Sequence, residues 1–339
     1  MDGGSAWRRM ACSRRSLVGL FVLGSLVIAC VASLPFTLGS AGDVGGTPRY
    51  KAGSLEAYLL PPFWAAHRVD ESERLASLSA LGTAPVPAPP FTLGTDKLGR
   101  SLLIRSLAGG GVSIGVGVAA AAISVFIGVL WGAVAGWMGG RVDAVLMRIV
   151  DVLYGLPYIL LVVLFAVAGE AVIERLQASG SSLGETASRN QTVVELVVLL
   201  LAIGGVSWLT MSRVIRGQVL SLKSRPFIEA ARASGIGPAG LFLRHLLPNL
   251  LGPIIVYATL TVPQAMLQES FLSFLGIGVK PPLPSWGNLA AEGLSELNPV
   301  RVRWWLLLFP CAFLGLTLVS LNFVGEAMRD AFDPRSRRR

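Results

Sequence analysis

The sequence predicts an all-α polytopic membrane protein, and three observations carry that prediction. Hydrophobic residues make up 53% and charged residues 14% of the 339 residues, and mean hydropathy is +0.64, outside the range of soluble globular chains. A window of about 19 residues finds six apolar stretches, each near the ~20 residues that cross ~30 Å of hydrocarbon at ~1.5 Å per residue. The basic residues sit in short runs beside these stretches and do not interleave with aromatics, so net charge +9 is a topology signal and not a nucleic-acid footprint.

The N-terminal segment, residues 1–16, carries Arg8, Arg9, Arg14 and Arg15 ahead of the first stretch, residues 17–38. Such a run also suits a signal peptide, and Val27-Ile28-Ala29-Cys30 has the look of a lipoprotein cleavage site. About twenty apolar residues exceed a signal core of ~7–15, and further spans follow, so the stretch reads as a retained transmembrane helix. Residues 39–111 form a long extracytoplasmic loop and lead-in segment, in which Pro85 to Pro90 argues against a compact domain. The second span, residues 112–137, and its flanks hold Gly111, Gly115, Gly128, Gly132, Gly136 and Gly140, several at four-residue spacing, with Ala119 and Ala122 near the same face. Such a stripe permits close helix contact in lipid, within the chain or on a partner subunit.

The third span covers residues 149–169, the polar, Ser-rich stretch 180–191 reads as a flexible outer loop, and the fourth span covers 193–211. An inner loop over 212–249 leads to the fifth span at 250–275 and the sixth at 304–324, and residues 326–339 form a basic tail. The second to sixth spans, within 112–325, make one five-helix core. If the N terminus is cytoplasmic, the inner segments hold basic residues more densely than the outer ones, from Arg141 and Arg148 through Arg213, Arg216, Lys223, Arg225, Arg232 and Arg244 to Arg329 and the tail. Both termini and the 212–249 loop are therefore expected in the cytoplasm.

Several chemistries find no support in the residues. Cys12, Cys30 and Cys311 form no disulfide or metal spacing, and His67 and His245 stand too far apart in sequence and topology to make a metal site. Asp151, Glu195 and Glu269 are costly in a bilayer, but each lies within a turn or two of a span end and is expected to reach interfacial water. The phosphate-binding pattern Gly-x-x-x-x-Gly-Lys-[Ser/Thr] is absent, so ATP, if it is used, belongs to another chain.

The most informative segment is Glu229-Ala230-Ala231-Arg232-Ala233-Ser234-Gly235, followed by His245-Leu246-Leu247-Pro248-Asn249. Ser224 or Arg225 can cap a short helix with Pro226 in its first turn, and Gly235 can end it in a left-handed conformation. Small side chains then leave an almost bare face that a partner surface can approach, and Gly237-Pro238 turns the chain into the next helix. This pattern resembles the EAA loop of ATP-binding-cassette importer permeases, and Arg244-His245-x-Leu247-Pro248-Asn249 is similar to their dipeptide and oligopeptide branch, with His245 where isoleucine is frequent. Two further stretches resemble the same branch. One is Gly94-Thr95-Asp96-Lys97-Leu98-Gly99-Arg100, with Ser101 in place of the usual aspartate; the other is Glu269 to Gly278 leading into Pro281 to Gly287.

The resemblance implies a type I ABC importer permease-like core in a bacterial inner membrane, forming half of a translocation path for di- or oligopeptides. It implies a second permease subunit, usually a different chain, two cytoplasmic ATPases that hold ATP-Mg, an extracytoplasmic substrate-binding protein, and surrounding membrane lipid. It assigns coupling to Glu229 and Arg232 as orienting charges, Ala230 and Ala231 as residues permitting close approach, Gly235 as the turn, and His245 and Pro248 at the start of the fifth span. No cofactor is expected in the chain itself. A secondary transporter driven by an ion gradient is the alternative, but it predicts intramembrane ionisable residues and inverted repeats that the sequence lacks. A membrane hydrolase would need a nucleophile with a base or a metal cluster, against which the sparse His and Cys argue.

Overall fold

The computed structural model describes residues 14–40, 46–80, 91–179, 182–298 and 301–332. Their regular structure is helical, with isolated β-bridges and no strand among the described residues. In chain order the helices are α1 (Arg14–Leu38), α2 (Val69–Ala80), α3 (Leu102–Met138), α4 (Gly140–Tyr154), α5 (Tyr158–Ala178), α6 (Ser182–Arg189), α7 (Gln191–Lys223) and α8 (Pro226–Ala233). Then follow α9 (Pro238–Phe274), which contains a π-helical turn over Leu241–Leu246, α10 (Trp286–Leu294) and α11 (Trp304–Phe332). Five helices are long and apolar enough to cross a membrane, or six spans if the bent pair α4 and α5 counts as one. The N-terminal arginines before Arg14, the tract from Pro85 to Pro90 and the tail beyond Phe332 lie outside the described residues.

Two expectations about elements need correction. The third window, 149–169, is no single helix: α4 and α5 meet at 94°. Gly155 caps α4, Leu156 precedes a proline, whose ring disfavours the α region for the residue before it, and Pro157 has no N–H to extend the ladder. The stretch 180–191 is not a loop throughout, because Ser182–Arg189 is α6, with Glu185 in its first turn and Arg189 in its last, each complementing the helix dipole. Its Ser-rich composition masked an amphipathic helix that packs chiefly on α5.

The chain forms two compact units, one of residues 1–20, 116–268 and 320–339, the other of 21–115 and 269–319. In the first, the glycine stripe packs within the chain. A Cβ at Gly128 would lie 2.6 Å from the Met211 Cβ, and one at Gly136 2.8 Å from the Val219 Cβ, so α3 and α7 approach at a distance only glycine permits. Arg216 forks onto both carboxylate oxygens of Asp143, and Arg213 reaches Asp151 at 2.7 Å, tying α7 to α4. Lys223 donates to the Trp137 carbonyl at 2.8 Å and so closes the C-terminal end of α3.

In the second unit, the buried Asp96 carboxylate has both oxygens hydrogen-bonded, while the Arg105 Nε and the Ser106 hydroxyl are buried without a partner among the described residues. Asp96 accepts the N–H groups of Leu98 and Arg100 at 2.9 Å each, the Arg100 Nε at 2.7 Å and the Arg105 Nη1 at 2.6 Å. Arg105, itself buried, also grips Glu292 of α10 through both terminal nitrogens. Thr95 donates to the Ala57 carbonyl at 2.6 Å and accepts the Leu60 N–H at 2.7 Å. Gly99 at φ +67° makes the turn that folds Asp96 back on its own backbone. Thr95, Asp96, Gly99 and Arg100 of the 94–100 motif thus each have a physical task. On the surface of this unit, the Arg301 guanidinium donates to Asp70 and holds its carboxyl below the usual carboxylate range.

Candidate functional site

The expected 212–249 loop needs correction: residues 212–223 continue α7, and 226–249 form a hairpin of two helices seated on its end. Pro226 occupies the first position of α8, where its missing N–H costs nothing and its fixed φ suits the helix. At the other end the Gly235 N–H reaches the Arg232 carbonyl at 3.0 Å and the Ile236 N–H reaches Ala231 at 3.3 Å, with Gly235 at φ +80°. This pair of bonds is the Schellman arrangement, and it satisfies carbonyls that a helix end otherwise leaves bare. Gly237 then caps the helical run that begins at Pro238.

One face of α8 is buried. Ile228 is 0% and Ala231 8% exposed, and they join Ala133, Met211, Ile215, Val219, Leu241, Leu246 and Leu250 in one apolar cluster. Leu241 and Leu246 stand five residues apart, a spacing that an α-helix would split between two faces; the π turn brings both inward. The same wide turn precedes Pro248, whose ring would otherwise crowd the carbonyl four residues back.

The other face is open. Glu229, Ala230, Arg232, Ala233, Ser234 and Gly235 are exposed, and neither Glu229 nor Arg232 has a side-chain partner among the described residues. Phe227 on α8 is 42% exposed and Leu243 on the following helix is 60% exposed, two large apolar groups that the motif did not single out. Their signal was present as bulky apolar residues next to charges, Phe227 before Glu229 and Leu243 before Arg244. Ala231, assigned to close approach by another chain, instead faces inward: its small side chain lets α8 seat on its own hairpin. His245 is half-buried and offers its carbonyl to the Asn249 side chain at 2.6 Å, while Pro248 is exposed. Both belong to α9 and not to the exposed face of α8.

A second arrangement escaped sequence reasoning. Glu269, expected to meet interfacial water, is 0% exposed. Ser273 donates to its Oε1 at 2.8 Å and Ser270 to its Oε2 at 3.2 Å, and Ser113 and Ser285 also hydrogen-bond its carboxyl. Three of these serines relay backbone groups, since Ser273 accepts the Val279 N–H, Ser113 the Trp286 N–H and Ser285 the Asn288 N–H. The carboxyl is thus the hub that holds the 270–288 turn and the start of α10. The signal lay partly in Glu269-Ser270-Phe271-Leu272-Ser273, where helical spacing sets Ser273 one turn from Glu269, whereas no periodicity brings Ser113 and Ser285 to the same carboxyl.

Residues 128–338 match the family described as binding-protein-dependent transport system inner membrane component, a range that includes the whole hairpin. The chain is 36% identical over 333 residues to the dipeptide transport system permease protein DppC of Bacillus subtilis, covering 98% of this chain and 86% of that one. It is 40% identical over 279 residues to the oligopeptide transport system permease protein OppC of Escherichia coli, covering 82% of each. With the OppC of Haemophilus influenzae it shares 39% identity over 257 residues, 76% of this chain and 74% of that relative.

Proposed function

The chain belongs to the family of binding-protein-dependent transport system inner membrane components, and we propose that it couples ATP hydrolysis in partner chains to the import of di- or oligopeptides. It is a multi-pass permease of the bacterial inner membrane. The observation that carries the coupling reading is the division of α8: Ile228 and Ala231 clamp it to the apolar cluster, while Glu229, Ala230, Arg232 and Ala233 stay free on the other side. A helix held firmly at its back and bare at its front can receive a partner's groove and pass displacement into α7 and α9.

In this reading two cytoplasmic ATPases hold ATP-Mg, a second permease subunit supplies the other half of the path, and an extracytoplasmic binding protein delivers the peptide. Closure of the ATPase pair moves α8, and the stiff seat transmits the motion to the spans, so that each conformation binds peptide and nucleotide differently. Glu229 and Arg232 orient the dock, Phe227 and Leu243 add apolar contact, and Gly235 preserves the turn. Peptide as the cargo rests on what the relatives are named for.

Labelling of an engineered Ala233→Cys tests the dock. The thiol should react freely in the isolated chain and be shielded once the ATPase subunits are added, with ATP hydrolysis appearing only then. Equal labelling with and without bound ATPases, in a confirmed complex, refutes the contact. Orientation is tested by reporter fusions: one after Arg339 should be active only on the cytoplasmic side and one near Ala80 only outside.

A further inference from the structure

Along the most polar side of α9, Tyr257, Thr261, Gln264 and Gln268 recur at spacings of four, three and four residues, which places them on one helical face. This face lies inside a run apolar enough to cross the membrane. Tyr257 is 36% exposed, Gln264 is exposed, and Thr261 and Gln268 are half-buried. Two more polar groups converge on its end from other helices. The Tyr158 hydroxyl donates to the Gln268 Oε1 at 2.7 Å and lies 2.7 Å from the Ser207 hydroxyl.

The hydrogen-bond inventory of this face is incomplete in one direction. The Gln268 carbonyl oxygen is used by Tyr158, yet its amide N–H groups have no acceptor among the described residues. The Gln264 amide and the Tyr257 hydroxyl likewise have no partner among the described residues, and Thr261 spends its proton on the Tyr257 carbonyl at 2.7 Å. Polar side chains in a span that are neither buried nor paired do not face hydrocarbon; they face a water-filled path or another polar surface. The stripe carries no ionic group, so it does not select for charged side chains on the substrate. Primary amides and hydroxyls both donate and accept, which matches the alternating N–H and C=O groups of a peptide main chain whatever its side chains.

We propose that the Tyr257, Thr261, Gln264 and Gln268 face, extended by Tyr158 and Ser207, is this chain's side of the peptide path and hydrogen-bonds the main chain of the passing substrate. The inference rests on the peptide-import reading above. From Tyr257 to Gln268 the helix rises about 16 Å at ~1.5 Å per residue, the length of about five residues of extended peptide at ~3.4 Å each. The stripe therefore serves short peptides in an extended form.

The test uses the complete complex in proteoliposomes with trialanine and pentaalanine as substrates, reading peptide moved per ATP hydrolysed. Gln264→Leu combined with Gln268→Leu keeps the helix apolar and insertable, and should lower that ratio about tenfold for both peptides, the loss expected when substrate carbonyls find no donor. Gln268→Asn, which keeps an amide, should recover part of the loss. Independently, Gln264→Cys should react with a charged methanethiosulfonate faster than Leu267→Cys, whose side chain is 55% exposed one position from the stripe. A double variant with the wild-type ratio, equal labelling at the two cysteines, or release of the second permease subunit by the double variant would each overturn the proposal. Wild-type complex that moves neither peptide overturns the peptide reading as well, whereas wild-type transport with unaffected variants overturns the stripe alone.

Discussion

Two sets of polar groups, one in each unit, are treated in opposite ways. In the unit containing residues 21–115 and 269–319, Glu269 is enclosed by serines, and Asp96 and Arg105 are buried with every carboxylate oxygen engaged. In the unit containing residues 116–268, Glu229, Arg232 and the Gln264 amide are left exposed and unpaired among the described residues. Burying a charge is tolerable only when its partners are complete, and a complete network has a single arrangement; it therefore makes a frame. Open polar groups have satisfied nothing yet and can engage whatever comes. Saturation marks what must hold still, and vacancy marks what must meet another molecule.

The sharpest break of that contrast falls on the open side. Gly235→Pro sets φ near −65° where the chain needs +80° and removes the N–H given to Arg232, and Glu229→Lys places the wrong sign on the dock. Each should abolish peptide uptake while the chain still inserts in the membrane, checked by uptake assay and by membrane fractionation. Glu229→Lys is the cleaner of the two, because a side chain without partners contributes little to stability. Normal uptake in both variants would remove the coupling assignment.

On the saturated side the expected effect is on stability. Arg105→Met leaves buried Asp96 without one of its two ionic partners and strands Glu292, and should cost about 3 kcal/mol, at the lower end for breaking a buried pair because Arg100 stays on Asp96 and Glu292 reaches solvent. Thermal unfolding in detergent, followed by a fluorescent thiol probe or by aggregation onset, should show it; an unchanged midpoint would mean the network is not a frame. The smallest test compares neighbours on one helix. Ala231→Leu overfills the cluster behind α8 and should cost about 1–3 kcal/mol, whereas Ala233→Leu leaves the unfolding midpoint alone and weakens only ATPase binding in a pull-down.

Much of this was legible in the sequence. Composition and windowed hydropathy sufficed for the fold class, because every span must close its backbone hydrogen bonds within itself and so must be a long apolar helix. The α8 helix was legible to its caps, since Pro226 and Gly235 act on their own backbone and need no distant partner. The break between α4 and α5 was written in Gly155-Leu156-Pro157, but a hydropathy window averages over a proline that costs little hydrophobicity. The amphipathic α6 was hidden in the same way by its small polar residues.

What the sequence determined by itself was local: spans, caps, the turn at Gly235 and the row of small residues on α8. The tertiary structure alone decided that Ala231 turns inward while Ala230 stays out, that Gly128, Gly132 and Gly136 meet α7 and not another chain, and that Ser113 and Ser285 converge on Glu269. The physical reason is range. Backbone conformation answers to neighbours within a few residues, whereas the burial and pairing of a side chain depend on groups brought together from far along the chain, as Arg105 and Glu292 are across 187 positions.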